Sequence, residues 1–196
     1  MNNLIVTDCD GCLLDWENGF HAWMARHGYE RMPEVEQVSY SISPLYGLEA
    51  ATAKQLVRQF NESAGIAFLE PLQNAIYVVR RLRIDYGFRF EVVTSLGDWE
   101  PSVELRKYNL TQVFGEGIFD EIFCLPIGEP KYDFLKTRYG QDSGAIWVED
   151  HTDNAADGAR LGMRTFLMKQ DHNRQSELVG DITRVDSWDD IFFALK

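Results

Sequence analysis

With 196 residues, 45% of them hydrophobic and 26% charged, the chain can bury one sizeable core with a smaller appended unit. A formal net charge of -12 argues against nucleic-acid polymers or an anionic membrane as the main partner, while a small anionic substrate remains reachable through a bound cation. No apolar run approaches the ~20 residues of a membrane span, the N-terminus has no basic leader pattern, and three cysteines do not make a disulfide framework, so a cytoplasmic protein with reduced thiols is expected.

The first element is an apolar strand, Leu4-Ile-Val-Thr7, that runs into Asp8-Cys9-Asp10-Gly11-Cys12. Strand side chains alternate between faces, so two carboxylates one residue apart would share a direction beyond the strand's end. Open α/β sheets bind ligands at that edge. Two carboxylates there repel unless a proton or a cation relieves them, and Mg²⁺ suits a few carboxylates plus phosphate oxygens.

Residues 16–69 contain no convincing strand but two helical candidates, 16–27 and 48–63, joined by an irregular stretch with Pro33 and Pro44. They read as a small helical insertion after the first strand. Helical spacing of Leu72, Ala75, Ile76, Val79 and Leu82 then predicts a helix within 71–86. Further strands are predicted at 89–94, 121–125, 145–149, 164–168 and 182–185, with helices at 101–108, 131–139 and 153–161 and a closing helix from Trp188. Alternating strands and helices imply an α/β fold, a doubly wound, mostly parallel Rossmann-like sheet.

Four sites fall at the ends of predicted strands or the starts of helices: Asp8/Asp10, Thr94-Ser95, Lys131 and Glu149-Asp150. A parallel sheet gathers such positions on one edge. Together they supply a nucleophile, an acid/base, a hydroxyl, a cation and metal-binding carboxylates, the parts that phosphoryl transfer requires.

These four motifs, Asp8-Cys-Asp10-Gly, Val92-Val93-Thr94-Ser95, Glu129-Pro130-Lys131 and Trp147-Val148-Glu149-Asp150, resemble in type and order those of the haloacid dehalogenase superfamily. The likeness covers a core at residues 1–15 and 70–196, and residues 16–69 stand where that family carries a helical cap. The resemblance implies a phosphatase acting on a small phosphorylated substrate. Asp8 would be the nucleophile, giving an aspartyl-phosphate, and Asp10 the acid/base, its backbone carbonyl also on Mg²⁺. Thr94 would bind a phosphoryl oxygen, with Ser95 as a second hydroxyl, and Lys131 would offset charge on nucleophile and phosphate. Asp150 would hold Mg²⁺, with Glu149 as a second acidic ligand; Asp153 and Asn154 are alternatives for supporting that metal shell. The Glu149-Asp150 pair resembles the beta-phosphoglucomutase branch, which keeps a phosphomutase as an alternative. The run from Gly11 to Glu17 resembles the 5'(3')-deoxyribonucleotidases, so a nucleotide and a sugar phosphate are both candidate substrates. A catalytically idle binding domain is a further alternative, and a dehalogenase has no need of the acid at Asp10.

Other features have plainer readings. Cys9 and Cys12 form a Cys-x-x-Cys, but the flanking aspartates oppose a thiolate, so packing is expected. His151 reads as a solvated loop histidine. Trp16, Phe20 and Trp23 repeat at helical spacing and read as core, although Trp16 or Phe20 could also stack on a substrate ring beside the acidic loop.

Overall fold

The computed structural model describes residues 3–33 and 35–196; residues 1 and 2 of the predicted core segment and residue 34 of the helical insertion lie outside the described residues. Six strands, β1 (Leu4–Thr7), β2 (Arg89–Thr94), β3 (Glu121–Cys124), β4 (Ile146–Glu149), β5 (Arg164–Met168) and β6 (Ile182–Val185), form one parallel sheet in the order β3-β2-β1-β4-β5-β6. The strands are short apolar runs because both faces are covered. Ile5, Val92, Val148 and Phe166 belong to one buried cluster, whereas Leu4, Val6, Val93 and Trp147 belong to another. The expected doubly wound α/β fold is therefore the one observed.

The helices are α1 (Trp16–Arg26), α2 (Ser43–Tyr46), α3 (Ala50–Asn61), α4 (Ala75–Ile84), α5 (Glu100–Phe114), α6 (Tyr132–Tyr139), α7 (Thr152–Arg160) and α8 (Trp188–Leu195), with a 3-10 turn over Ala64–Phe68. Val79 of α4, Leu110 of α5 and Trp188 of α8 join the cluster around Ile5, and Leu135 of α6 joins the one around Val6. Among the described residues no helix is long and apolar enough to cross a membrane.

Two helices differ from their sequence patterns by more than a residue or two at an end. Pro71, expected inside α4, instead forms a bridge with Leu14, and Asn74 takes a left-handed φ of 63° before the helix begins. α5 continues six residues past Tyr108 and buries Leu110 and Phe114. Its buried face also holds Ser102, Arg106 and Asn109, and these polar residues hide the apolar period.

α1, α2, α3 and the 3-10 turn lie between β1 and α4. The chain leaves and re-enters at one place: Asp15 N–H donates to Glu70 O at 2.8 Å, and Leu72 N–H donates to Leu13 O at 2.9 Å. Inside the insertion Phe20 stacks on Trp16 with centroids 4.8 Å apart and meets Phe60 edge-on at 5.5 Å. These rings are contiguous with the apolar cluster on the sheet, so the insertion shares the main core.

The sheet edge is positioned by packing beneath it. Thr7 is in register with Val92 on one side and Val148 on the other, so β1 and β4 end almost level. Trp147 of β4 lies under α7, where Gly158 permits the approach: a Cβ on that glycine would stand 2.2 Å from Trp147 Cδ1. Gly158→Ala is expected to destabilise the fold by about 1–3 kcal/mol in denaturant unfolding. A loss below about 0.5 kcal/mol would mean that α7 can lift from Trp147 at little cost.

Candidate active site

The carboxyl ends of β1 and β4 are neighbours at the point where strand order reverses, the place where open α/β sheets leave a crevice. Asp8 follows β1 directly, and its backbone N–H donates to Val148 O at 2.8 Å, locking it beside Glu149 and Asp150. Ligand atoms of Asp8, Glu149 and Asp150 all lie within 4.8 Å of one another, and all three residues are buried. Carboxylates this close need compensation.

Lys131, the residue before α6, supplies part of it. Its Nζ lies 2.9 Å from Asp8 Oδ1 and 3.0 Å from Glu149 Oε2, and only 1% of its side chain is exposed. Burial works against the ammonium charge, but Asp8 and Glu149 outweigh it and raise the pKa above the ordinary lysine value. Trp147 lies below, its ring centroid 5.4 Å from Nζ. Asp8 Oδ1 also accepts from Cys9 N–H at 2.7 Å. One oxygen of the predicted nucleophile is thus held by two donors.

Glu149 is engaged on both oxygens. Oε1 accepts from His151 N–H at 3.2 Å and from Asn154 Nδ2 at 3.0 Å, while Oε2 takes Lys131. Of the two alternatives for supporting the metal shell, Asn154 therefore reaches the cluster, and Asp153 is exposed on the first turn of α7. Asp150 is fixed from the other side. Its carbonyl accepts from Asn173 Nδ2 at 2.7 Å, and His172 Nε2 lies 3.4 Å from its Oδ2. Gly11, at φ 74°, lets the loop pass over this carboxylate, since a Cβ there would stand 2.1 Å from Asp150 Oδ2.

Asp10 has a cation of its own. Arg106 Nη2 lies 2.7 Å from Oδ1 and donates to Oδ2 at 2.9 Å. Thr94, at the end of β2, is buried with a hydroxyl that meets no hydrogen-bond partner among the described residues, and Ser95 beside it is half-buried. An unpaired buried hydroxyl at a ligand edge is a group waiting for an acceptor.

The aromatic stripe divides. Phe20 has no exposed surface and is enclosed by Trp16, Trp23, Phe60 and Tyr46, which agrees with its reading as core and corrects the alternative that placed it against a substrate ring. Such a ring has no face left for a ligand. Trp16 is half-buried and donates from Nε1 to Asn61 Oδ1 at 2.9 Å. His151 is not simply solvated: Tyr40 meets its ring edge-on at 4.9 Å, and its backbone serves Glu149. Burial pushes the Cys9 and Cys12 thiols well up, in keeping with packing roles. Sequence reasoning missed Arg106, His172 and Asn173. Only Arg106 had a signal, as a polar residue four after Ser102 and three before Asn109 on one helix face.

No protein-family model matches the chain. An uncharacterized 32.4 kDa protein of the Gp30-rIII intergenic region of Enterobacteria phage T4 is 26% identical, over 97% of this chain and 69% of that protein. A haloacid dehalogenase-like hydrolase, SP0104 from Streptococcus pneumoniae, superposes with a TM-score of 0.69 at 15% identity, covering 100% of both chains. A predicted phosphatase from Clostridium acetobutylicum gives 0.70 at 16% identity, covering 100% of this chain and 98% of the other. The chain has the haloacid dehalogenase fold. L-2-haloacid dehalogenases share it as well.

The charges of the site carry a sign that can be measured. Burial raises the pKa of Asp10 to about 6, against the pull of Arg106. Burial, and then the charge of neighbouring carboxylates, raises Glu149 and Asp150. A carboxyl whose folded pKa exceeds its unfolded value binds protons first in the folded state, so stability rises as pH falls through the folded pKa. His172, lowered by burial, carries the opposite sign. With three groups against one, the unfolding midpoint of metal-free protein is expected to rise as pH is lowered from about 7.5 to about 5. Mg²⁺ should flatten that rise, because it favours ionised ligands. A metal-free midpoint that falls steadily over the same range would show that these carboxylates ionise at no cost to the fold.

Proposed function

We propose that the chain is a Mg²⁺-dependent phosphatase that hydrolyses a small phosphomonoester, nucleotide or sugar phosphate, through an aspartyl-phosphate on Asp8. The observation that carries this reading is Lys131, buried between Asp8 and Glu149 beside Asp150. It orients one carboxylate as a nucleophile and leaves the cluster short of positive charge.

In the first step a carboxylate oxygen of Asp8 attacks phosphorus, and the bond from phosphorus to the leaving oxygen breaks. Asp10 gives its proton to that oxygen. In the second step Asp10 takes a proton from water as the water oxygen attacks phosphorus. The bond to Asp8 breaks, phosphate leaves, and both carboxyls return to their starting states. Thr94 donates its unpaired hydroxyl to a phosphoryl oxygen, Ser95 is the adjacent donor, and Lys131 offsets charge at Asp8 and phosphate. The partly exposed Trp16 borders the acidic loop where the organic part of a substrate would pass.

The donor set fits a hard divalent cation, being all oxygen and under-compensated. Asp8 and Asp150 would hold it with the backbone carbonyl of Asp10. Glu149, with both oxygens on protein donors, would contribute mainly by fixing Lys131. Such an ion, when bound, neutralises charge on carboxylates and phosphoryl oxygens. Residues 16–69 act in this reading as a cap that limits water at the site, and the protein works in the cytoplasm on a soluble metabolite rather than on a nucleic-acid polymer or membrane. Asp10, held by a cation of its own, favours phosphate chemistry over dehalogenation. The phosphomutase alternative rests on the Glu149-Asp150 pair alone.

Phosphate release from a panel of mononucleotides and sugar phosphates, with Mg²⁺ and with chelator, tests the reading. Mg²⁺-dependent release is expected, and Asp8→Asn should lower kcat by at least about 10³-fold while leaving the circular dichroism spectrum unchanged. Undiminished activity in that variant would remove Asp8 as nucleophile. An isomerised ester in place of free phosphate would establish the mutase, and no turnover with tight phosphate binding would leave an idle domain.

A further inference from the structure

We propose that Arg106 is the positioning residue of the acid/base, fixing the Asp10 carboxyl for proton transfer as Lys131 fixes Asp8 for attack. The assignment rests on the phosphatase reading above and extends it to a residue outside the four motifs.

Arg106 has none of its side chain exposed. A guanidinium with no access to water is strongly unfavourable unless paired, and among the described residues Asp10 is the carboxylate that pairs with it. One nitrogen, Nη2, reaches both oxygens of Asp10, and Nη1 donates to Cys9 Sγ at 3.1 Å. The same side chain thereby grips the residue between the two aspartates and the second aspartate itself. The Asp10 side chain is still 19% exposed, so Arg106 grips its carboxyl without closing the residue off entirely.

The helix that carries Arg106 is itself tied down. Ser102, one turn before, donates from Oγ to Asn61 O at 2.8 Å. Asn109, one turn after, donates from Nδ2 to Leu69 O at 3.1 Å. Residues 102, 106 and 109 lie on one face of α5, all buried. Arg106 thus sits between two side-chain anchors, and its guanidinium has a fixed origin. A cation needed only for folding would be satisfied by any buried carboxylate. Here it is aimed at the group that must present a proton to the leaving oxygen.

The role acts on leaving groups that need a proton and spares those that do not. The test compares an alkyl phosphomonoester from the panel with p-nitrophenyl phosphate in wild type, Arg106→Met, Arg106→Lys, Asp10→Asn and the Asp10→Asn/Arg106→Met double variant. Arg106→Met is expected to lower kcat on the alkyl ester by about 10- to 100-fold, with KM little changed and a clearly smaller loss on p-nitrophenyl phosphate. In the Asp10→Asn background the same change should cost nothing further, because Arg106 acts through Asp10. Arg106→Lys should recover part of the loss. Equal losses on both esters, or losses that multiply in the double variant, would overturn the assignment in favour of a structural role, as would an unchanged kcat. Should Arg106→Met fail to fold, Arg106→Lys carries the same comparison of esters. Wild type inactive on every ester would overturn the phosphatase reading and this assignment with it, whereas active wild type with unaltered Arg106 variants would overturn this assignment alone.

Discussion

The arrangement depends on keeping acidic groups close together at the edge of a parallel sheet. Asp8, Glu149 and Asp150 are buried within reach of one another, and Asp10 is only partly exposed. Lys131 and Arg106 answer them from separate elements: Lys131 precedes α6 and Arg106 lies on α5. The two aspartates after β1 are therefore not a shared-proton pair. Each is held by its own cation, and this separation allows neighbouring carboxyls to take different chemical parts. Among the described residues Asp150 forms no ion pair with a lysine or arginine; His172 lies 3.4 Å from its carboxylate and Lys131 acts on it only from beyond pairing distance, so negative charge is left over at the edge.

The rest of the fold serves that edge. β1 and β4 end almost level and at the reversal of strand order, so side chains far apart in sequence meet without a long loop. The loop after β1 is braced from several directions: Gln170 Nε2 donates to Gly11 O at 2.7 Å, and Trp188 Nε1 donates to Cys12 O at 2.7 Å. Groups that must keep their geometry are thus placed on strand ends and anchored turns rather than on free loops. The helical insertion is likewise not a loosely tethered body, since its rings continue the apolar cluster of the sheet and α5 bonds to it at Asn61 and at Leu69.

The strands, their mostly parallel arrangement and the four chemical motifs were readable because each carries a local signal. An apolar run of fixed length reports a doubly covered strand, and the residue at its end reports the sheet edge. Arg106 was missed for the same reason that left Phe20 between two readings. The helical period says that a residue faces inward and not what it will face. Phe20 turned inward onto other rings, and Arg106, in a run that looks solvated, turned inward onto a carboxylate ninety-six positions away.

By itself, then, the sequence determined the α/β sheet, the placing of Asp8, Asp10, Thr94, Lys131, Glu149 and Asp150 at strand ends or helix starts, and the presence of helices rather than strands between β1 and α4. Periodicity and chain order encode these. Only the tertiary structure decided which cation serves which carboxylate, that Asn154 rather than Asp153 reaches Glu149, and that His172 and Asn173 brace Asp150. Those pairings depend on distances across the sheet edge between residues from different elements. Local propensity carries no term for such distances.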